Sequence, residues 1–242
     1  MIKDFYNLCK KNFDSQFDKV DLLRRYPWIG RKYSETDCRI LILGDSHYAK
    51  DLNGEFSQKE YDNFCKEKDS TRAVVNCVIK NVCEGDSTWK MFKNLIETFT
   101  SYTPNEGIDF WSKVAFYNFI QEPMEQVNQV PSSEQRIEGW KCFSEVVDII
   151  QPSFCLFIGM RSQNEIETIN KIGGSYSILR DTDGCNGVNP FWGYIKTPKG
   201  TDTQFRIIRH TSRYYSPNAW YKYLCDKEKN VMLQLDSYLG RM

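Results

Sequence analysis

The sequence predicts an α/β fold, three-layer α/β/α around a central, mainly parallel sheet of about four to five strands. Three observations predict it. Short apolar runs at 39–44, 113–118 and 154–159 read as strands buried on both faces, and the first and third end in glycine. Helix-like stretches separate these runs, the pattern of a layered α/β chain. The 242 residues are 40% apolar and 26% charged, which suits one ordinary globular domain with a sizeable core.

The elements follow in order. Residues 1–30 alternate charge with Phe5, Leu8, Phe13, Phe17, Leu22 and Leu23, which predicts one or two amphipathic helices packed on the domain, stopped by Pro27. The strand 39–44 comes next. Residues 58–100 predict a helical insertion in three pieces. Asp86-Ser87-Thr88 is the candidate cap for the piece that carries Trp89, Phe92, Leu95, Ile96 and Phe99. A second strand over 113–118 precedes a helix over 133–150, with Ile137, Trp140, Phe143, Val146, Val147 and Ile150 on one face. The third strand, 154–159, is followed by a helix over 162–172 and a short strand over 175–179. Residues 194–197 and 204–208 flank Pro198-Lys199-Gly200-Thr201-Asp202 and predict a hairpin. A helix over 217–238 closes the pattern. The domain is expected to be single, spanning 1–242.

Composition narrows the classes. Lys plus Arg equals Asp plus Glu at 32 each, so overall charge gives no support to a nucleic-acid partner, although a local basic face is compatible with it. No apolar run reaches the ~18 residues of a membrane span. Met1–Phe5 carries an acid and no continuous apolar stretch, which predicts no secretory leader. Nine cysteines are scattered without a Cys-x-x-Cys pair, so neither a zinc site nor an iron–sulfur cluster is expected, and reduced thiols in the cytoplasm are the expectation.

In parallel sheets, ligands bind beyond the carboxyl ends of the strands. The residues after each predicted strand are Gly44-Asp45-Ser46-His47-Tyr48, Asn118-Phe119-Ile120-Gln121, Gly159-Met160-Arg161-Ser162 and His210-Thr211-Ser212-Arg213. The chain has two histidines, His47 and His210, and both fall at such ends. Histidine suits proton transfer or polar stabilisation near neutral pH. Taken one at a time, such residues more often cap loops; together they mark a candidate site.

The order strand-Gly-Asp-Ser-His-Tyr, strand-Asn, strand-Gly and strand-His-x-Ser resembles the uracil-DNA glycosylase superfamily, over roughly residues 28–225. The nearest likeness is to a bacterial branch with a Gly-Glu/Asp-Ser-His-Tyr first motif, and Pro27-Trp28-Ile29-Gly30 also resembles that branch. The resemblance implies hydrolysis of the N-glycosidic bond of a damaged or deaminated base in nucleic acid, without cofactor or metal. It implies that Asp45 positions water and stabilises the cationic sugar. Asn118 would read the base, since an amide donates to a carbonyl oxygen and accepts from a ring N–H. Tyr48 would close the pocket, and Gly44, Ser46, His47 and Ser212 would line it. His210 would hydrogen-bond the base oxygen on which negative charge develops. Two departures stand out. Ser46 occupies the position of the water-activating aspartate of uracil-removing members, and Thr211 replaces the proline after the motif histidine.

From 190 to 225, six basic residues face one acid, with aromatics interleaved, and Lys199, Arg209 and Arg213 are the candidate phosphate contacts. The partner implied is nucleic acid, DNA in the first place, or a free nucleobase or nucleotide. Two other readings remain. A relative of the same fold could bind a nucleobase or nucleic acid without catalysis. Gly44-Asp45-Ser46 also resembles the first block of Gly-Asp-Ser esterases, with Ser46 as nucleophile and His210 as base. Against the esterase, the acid expected three residues before the histidine is Ile207.

Overall fold

The inner strands are uninterrupted apolar runs because both of their faces are covered. The structure, a computed structural model, describes residues 5–49, 55–84, 89–100, 103–126, 129–159, 168–169, 176–197, 199–212 and 214–239. Its strands are β1 (Trp28–Ile29), β2 (Ile40–Gly44), β3 (Ala115–Asn118), β4 (Phe154–Ile158), β5 (Tyr176–Arg180), β6 (Phe191–Lys196) and β7 (Asp202–Ile208). They form one sheet in the order β1-β3-β2-β4-β7-β6-β5. Strands β3, β2, β4 and β7 are mutually parallel, and β1, β6 and β5 pair antiparallel at the two sides.

The three apolar runs are therefore adjacent parallel strands. The sheet is larger than the expected four to five strands, and half of its six pairings are antiparallel. The difference has local causes. Strand β1 is only two residues long, too short for an alternation to register. The β5–β6–β7 meander needs only close connections, so no intervening helix marks it.

The helices are α1 (Asp14–Phe17), α2 (Gln58–Lys66), α3 (Ser70–Glu84), α4 (Lys90–Phe99), α5 (Pro104–Lys113), α6 (Ser133–Ile150), α7 (Pro217–Lys227) and α8 (Lys229–Leu239). Strand alternation sends Ile40, Ile42, Phe116 and Leu156 into one core with Val78, Leu95, Trp111, Trp220 and Leu235 from α3, α4, α5, α7 and α8. It sends Leu41, Leu43 and Phe157 into a second core with Trp140, Phe143 and Val147 of α6. Helix α6 matches its predicted range because a Ser132–Gln135 capping box fixes its start.

Two expectations change. The opening 30 residues hold a 3-10 turn at Tyr6–Leu8 and the single turn α1 instead of amphipathic helices. Backbone bonds such as Lys10 N–H to Ile29 C=O tie the segment to the sheet end, and Asp14 bonds the buried Arg72. The closing helix is split at Glu228, whose carboxylate turns inward to accept from Gln204 and Arg206. The predicted cap at 86–88 and most of the predicted helix at 162–172 lie outside the described residues; Thr168 and Ile169 are helical.

Arg206 is the centre of a buried ionic cluster. It bonds Glu228 and, at 3.2 Å, Asp181, and also the Tyr223 hydroxyl at 2.8 Å; the three charged side chains are 4–9% exposed. Removing the cation takes the main positive charge from two buried carboxylates, leaving Asp181 to the Tyr223 hydroxyl and Lys227, and Glu228 to the Gln204 amide, a change that costs about 3 kcal/mol. Arg206→Ala is therefore expected to lose stability on that scale in urea denaturation, whereas a loss below about 1 kcal/mol would show that the cluster does not hold α7 and α8 to the sheet.

Candidate functional site

Parallel pairing puts four strand ends on one edge. Gly44 stands opposite Asn118, and Ile158 opposite Ile208. Asp45, Asn118, Gly159 and His210 therefore all emerge at the carboxyl edge of β2, β3, β4 and β7. The backbones of Asn118 and His210 lie three strand spacings apart, roughly 14 Å. Two glycines let these side chains lean off their own strands. A Cβ on Gly44 would lie 2.1 Å from Asn118 Oδ1, so the amide leans across the end of β2. A Cβ on Gly159 would lie 2.4 Å from His210 Cδ2, so the imidazole leans across the end of β4. Strands β2 and β4 are neighbours, so both groups lie along the same carboxyl edge, but the cleft that His210 lines does not include Asn118 or Asp45.

The chemistry of the pair is defined. The Ser212 backbone N–H donates to His210 Nδ1 at 3.2 Å, and the Ser212 hydroxyl lies 2.8 Å from the same nitrogen. An Nδ1 that accepts from an amide carries no proton in the neutral ring, so the proton sits on Nε2. Burial pushes the imidazole below the ordinary histidine range, which favours this neutral donor. Asn118 is 7% exposed, and among the described residues no hydrogen bond engages its side-chain amide. A nearly buried amide without a partner is costly unless a ligand completes it.

The two loops that carry these groups are fixed by the backbone. Phe119 N–H donates to Gly44 C=O, Ile120 N–H to Asp45 C=O and Met124 N–H to His47 C=O, so the segments after β2 and β3 run side by side. Gln121, which sequence reasoning did not single out, donates to Asn118 C=O at 2.7 Å and accepts from Arg25 N–H at 3.1 Å. Asp45 and Ser46 are half-buried on this edge, and half-buried Tyr48 packs on the second core beside Met124. His47 is buried: its Nε2 is 3.3 Å from Thr71 Oγ1 and its ring packs on Phe64.

Thr211 explains how the last loop is held without the proline. It is fully buried, donates to Met91 C=O and accepts from the Asn94 amide at 2.6 Å. Asn94 is the second residue that sequence reasoning missed. The available signal was a polar side chain on the apolar face of α4, between Phe92 and Leu95.

The basic stripe does not form one face. Lys199 lies in the β6–β7 turn at the amino edge of β7, one full strand, roughly 20 Å, from Arg209. Arg206 is buried in its ionic cluster. Arg209 does reach the carboxyl edge, where it donates to Asn186 C=O and lies over the ring of the exposed Tyr214. Arg213 lies outside the described residues. The esterase arrangement also lacks its parts: Ser212, not a carboxylate, holds His210 Nδ1, and among the described residues no hydrogen bond joins Ser46 to His210.

Among the described residues no group of three or more His, Cys, Asp or Glu could hold a metal ion, and no helix is long and apolar enough to cross a membrane. No family model and no curated protein matches the chain.

The burial of His47 gives the motif loop a pH dependence. Burial, with Arg25 nearby adding to it, lowers its pKa to about 3. The unfolded chain, with the ordinary value near 6.5, binds more protons between these limits, so stability falls as pH falls. The contribution is complete above about pH 7 and shrinks by about 2 kcal/mol at pH 5, at ~1.4 kcal/mol per pH unit. Chemical denaturation of wild type and His47→Gln between pH 7 and pH 5 checks this: the variant should show the shallower slope, and equal slopes would mean that His47 titrates normally.

Proposed function

We propose that the chain is a uracil-DNA glycosylase-like protein of three-layer α/β/α architecture, which hydrolyses the N-glycosidic bond of a deaminated or damaged base in nucleic acid. What supports this reading is the placement, at one sheet edge, of an amide with no hydrogen-bond partner among the described residues and a neutral Nε2–H donor, each leaning over a strand-ending glycine. A planar base with adjacent carbonyl and ring N–H groups matches the amide, which offers both a donor and an acceptor. His210 then faces the base oxygen that gains negative charge as the bond breaks.

The roles follow from the charge movement. Positive charge grows on the sugar and negative charge on the base, so a carboxylate and a fixed donor are the groups that matter most. Asp45, which follows β2 on this edge, takes the sugar side; it holds water for attack on the sugar carbon. His210 keeps its proton and donates a hydrogen bond, because the base leaves as an anion. Ser46, which cannot act as a base, contributes loop hydrogen bonding. Arg209 is the described cation of the candidate set that lies on the same edge, and it takes a phosphate contact.

The test is incubation with single-stranded and duplex oligonucleotides carrying uracil, hypoxanthine or xanthine, scored for abasic sites. Asp45→Asn and His210→Ala should each lower turnover by ~100-fold or more, the scale of a lost charge-stabilising group. Ser46→Ala should change it by less than ~10-fold. Full activity of Asp45→Asn would remove the mechanism. Tight binding of such strands by wild type without abasic product would leave a nucleobase-binding protein instead.

A further inference from the structure

Beside His210, on the carboxyl edge, lies a cleft that the proposed contacts to the target base leave unused. It has a volume of about 210 Å³ and is walled by Val188, Pro190, Ile207 and Ile208, with Asn189 and Arg209 also in its lining. Gly159 and His210 line it as well, so it opens on the His210 side of the proposed base site. An apolar cavity of about 150 Å³ takes a benzene ring, so this cleft has room for one heteroaromatic ring.

Its polar groups fit a base joined to an anion. Asn189 Nδ2 already donates to Asp181 C=O at 3.2 Å, and its Oδ1, beside Gly184, has no hydrogen-bond partner among the described residues, so a turn of the amide would let it accept from a ring N–H or an exocyclic amine. Arg209 uses Nη1 on Asn186 C=O at 3.0 Å, and its remaining N–H groups have no partner among the described residues. Such a fork suits a phosphate. Tyr214, 82% exposed, stands under the same guanidinium, 5.5 Å from ring centroid to Cζ.

We propose that this cleft holds the base of the nucleotide next to the target in a single strand, with the connecting phosphate at Arg209. The proposal rests on the nucleobase reading of Asn118 and His210 and adds a substrate class to it. That class is a strand of two or more nucleotides whose neighbouring base is also bound, rather than a free nucleoside. A base stacked in a duplex cannot enter such a cleft without leaving the stack, so the single strand is the form that fits.

The test uses the full chain and fluorescence anisotropy with single-stranded pentanucleotides carrying a central uracil. The base on its 5′ or 3′ side is either present or replaced by an abasic residue. Wild type should bind the intact strand about 10-fold more tightly than one of the two flank-abasic strands, a difference of about 1.4 kcal/mol. Asn189→Ala, and Val188→Trp, which fills the cleft, should abolish that preference; the smaller change decides if the larger one unfolds the chain. Persistence of the preference in a folded Asn189→Ala, or its absence from wild type, overturns the proposal. A strand with an abasic residue at the central position reads the target site separately. If it binds as well as the uracil strand while the flank preference persists, the target-base reading fails and the cleft remains a base site. Failure to bind any of the strands overturns both.

Discussion

A Cβ on Gly44 would meet Asn118 Oδ1 at 2.1 Å, and one on Gly159 would meet His210 Cδ2 at 2.4 Å. These two missing methyl groups decide what the carboxyl edge can do. Any side chain at either position would push the amide or the imidazole back over its own strand. Gly159 also has φ +97°, a conformation that L side chains rarely adopt, so it meets both a steric and a backbone requirement. The glycine that ends an apolar run is thus more than a strand stop: it is the vacancy into which a neighbouring strand's polar residue is folded.

That arrangement is useful only if the loops are rigid. A hydrogen-bond donor stabilises developing charge well when it is already aimed before the reaction. Here the aim comes from groups that touch no substrate. Thr211 and Asn94 fasten the His210 loop to α4, and Thr98 extends the attachment to the Tyr215 hydroxyl at 2.9 Å. On the other side, Gln121 holds Asn118 through its carbonyl, and buried His47 anchors the loop after β2 to Thr71 of α3. Of the two histidines, one is fixed by Ser212 at the edge and the other is a neutral core residue. Their equal prominence in the sequence conceals different work, because burial and partners, not residue type, set the protonation behaviour of an imidazole.

The legible parts of the fold were those with strong local periodicity. Strands β2, β3 and β4 and helix α6 were all readable, because a two-faced apolar run or a capped helical stripe carries its own signal. The break at Glu228 was hidden because it depends on Arg206, 22 residues earlier in sequence and buried on the neighbouring strand. The N-terminal segment misled for a similar reason. Its apolar spacing suits a helix, but beyond the single turn of α1, Val20 and Leu23 are buried by irregular backbone. At the candidate site, the strand ends could be read from sequence, since parallel topology collects them on one edge. Asn94 and Gln121 could not, because nothing local says that a polar residue on an apolar face, or after a strand, will meet a particular loop.

The distribution of basic residues carries the last step. In sequence, Lys196, Lys199, Arg206 and Arg209 form one stripe; in space, the antiparallel β6–β7 pair divides them among three environments. Lys196 and Lys199 go to the amino edge, Arg206 to a buried cluster, and Arg209 alone of the four to the edge with His210. A protein that grips duplex DNA mainly through phosphates needs many cations along one track, since each neutralised phosphate releases counterions. Near-neutral charge with a local Arg209–Tyr214 pair fits a different division of labour, in which stacking and groove shape hold a short strand and one guanidinium fixes its register. The antiparallel extension bears on this directly. Strands β5 and β6 carry the connecting loop to the same edge as His210, where Val188, Asn189 and Pro190 form the wall of a second cleft. The part of the sheet that departs from simple parallel winding is therefore the part that walls this cleft.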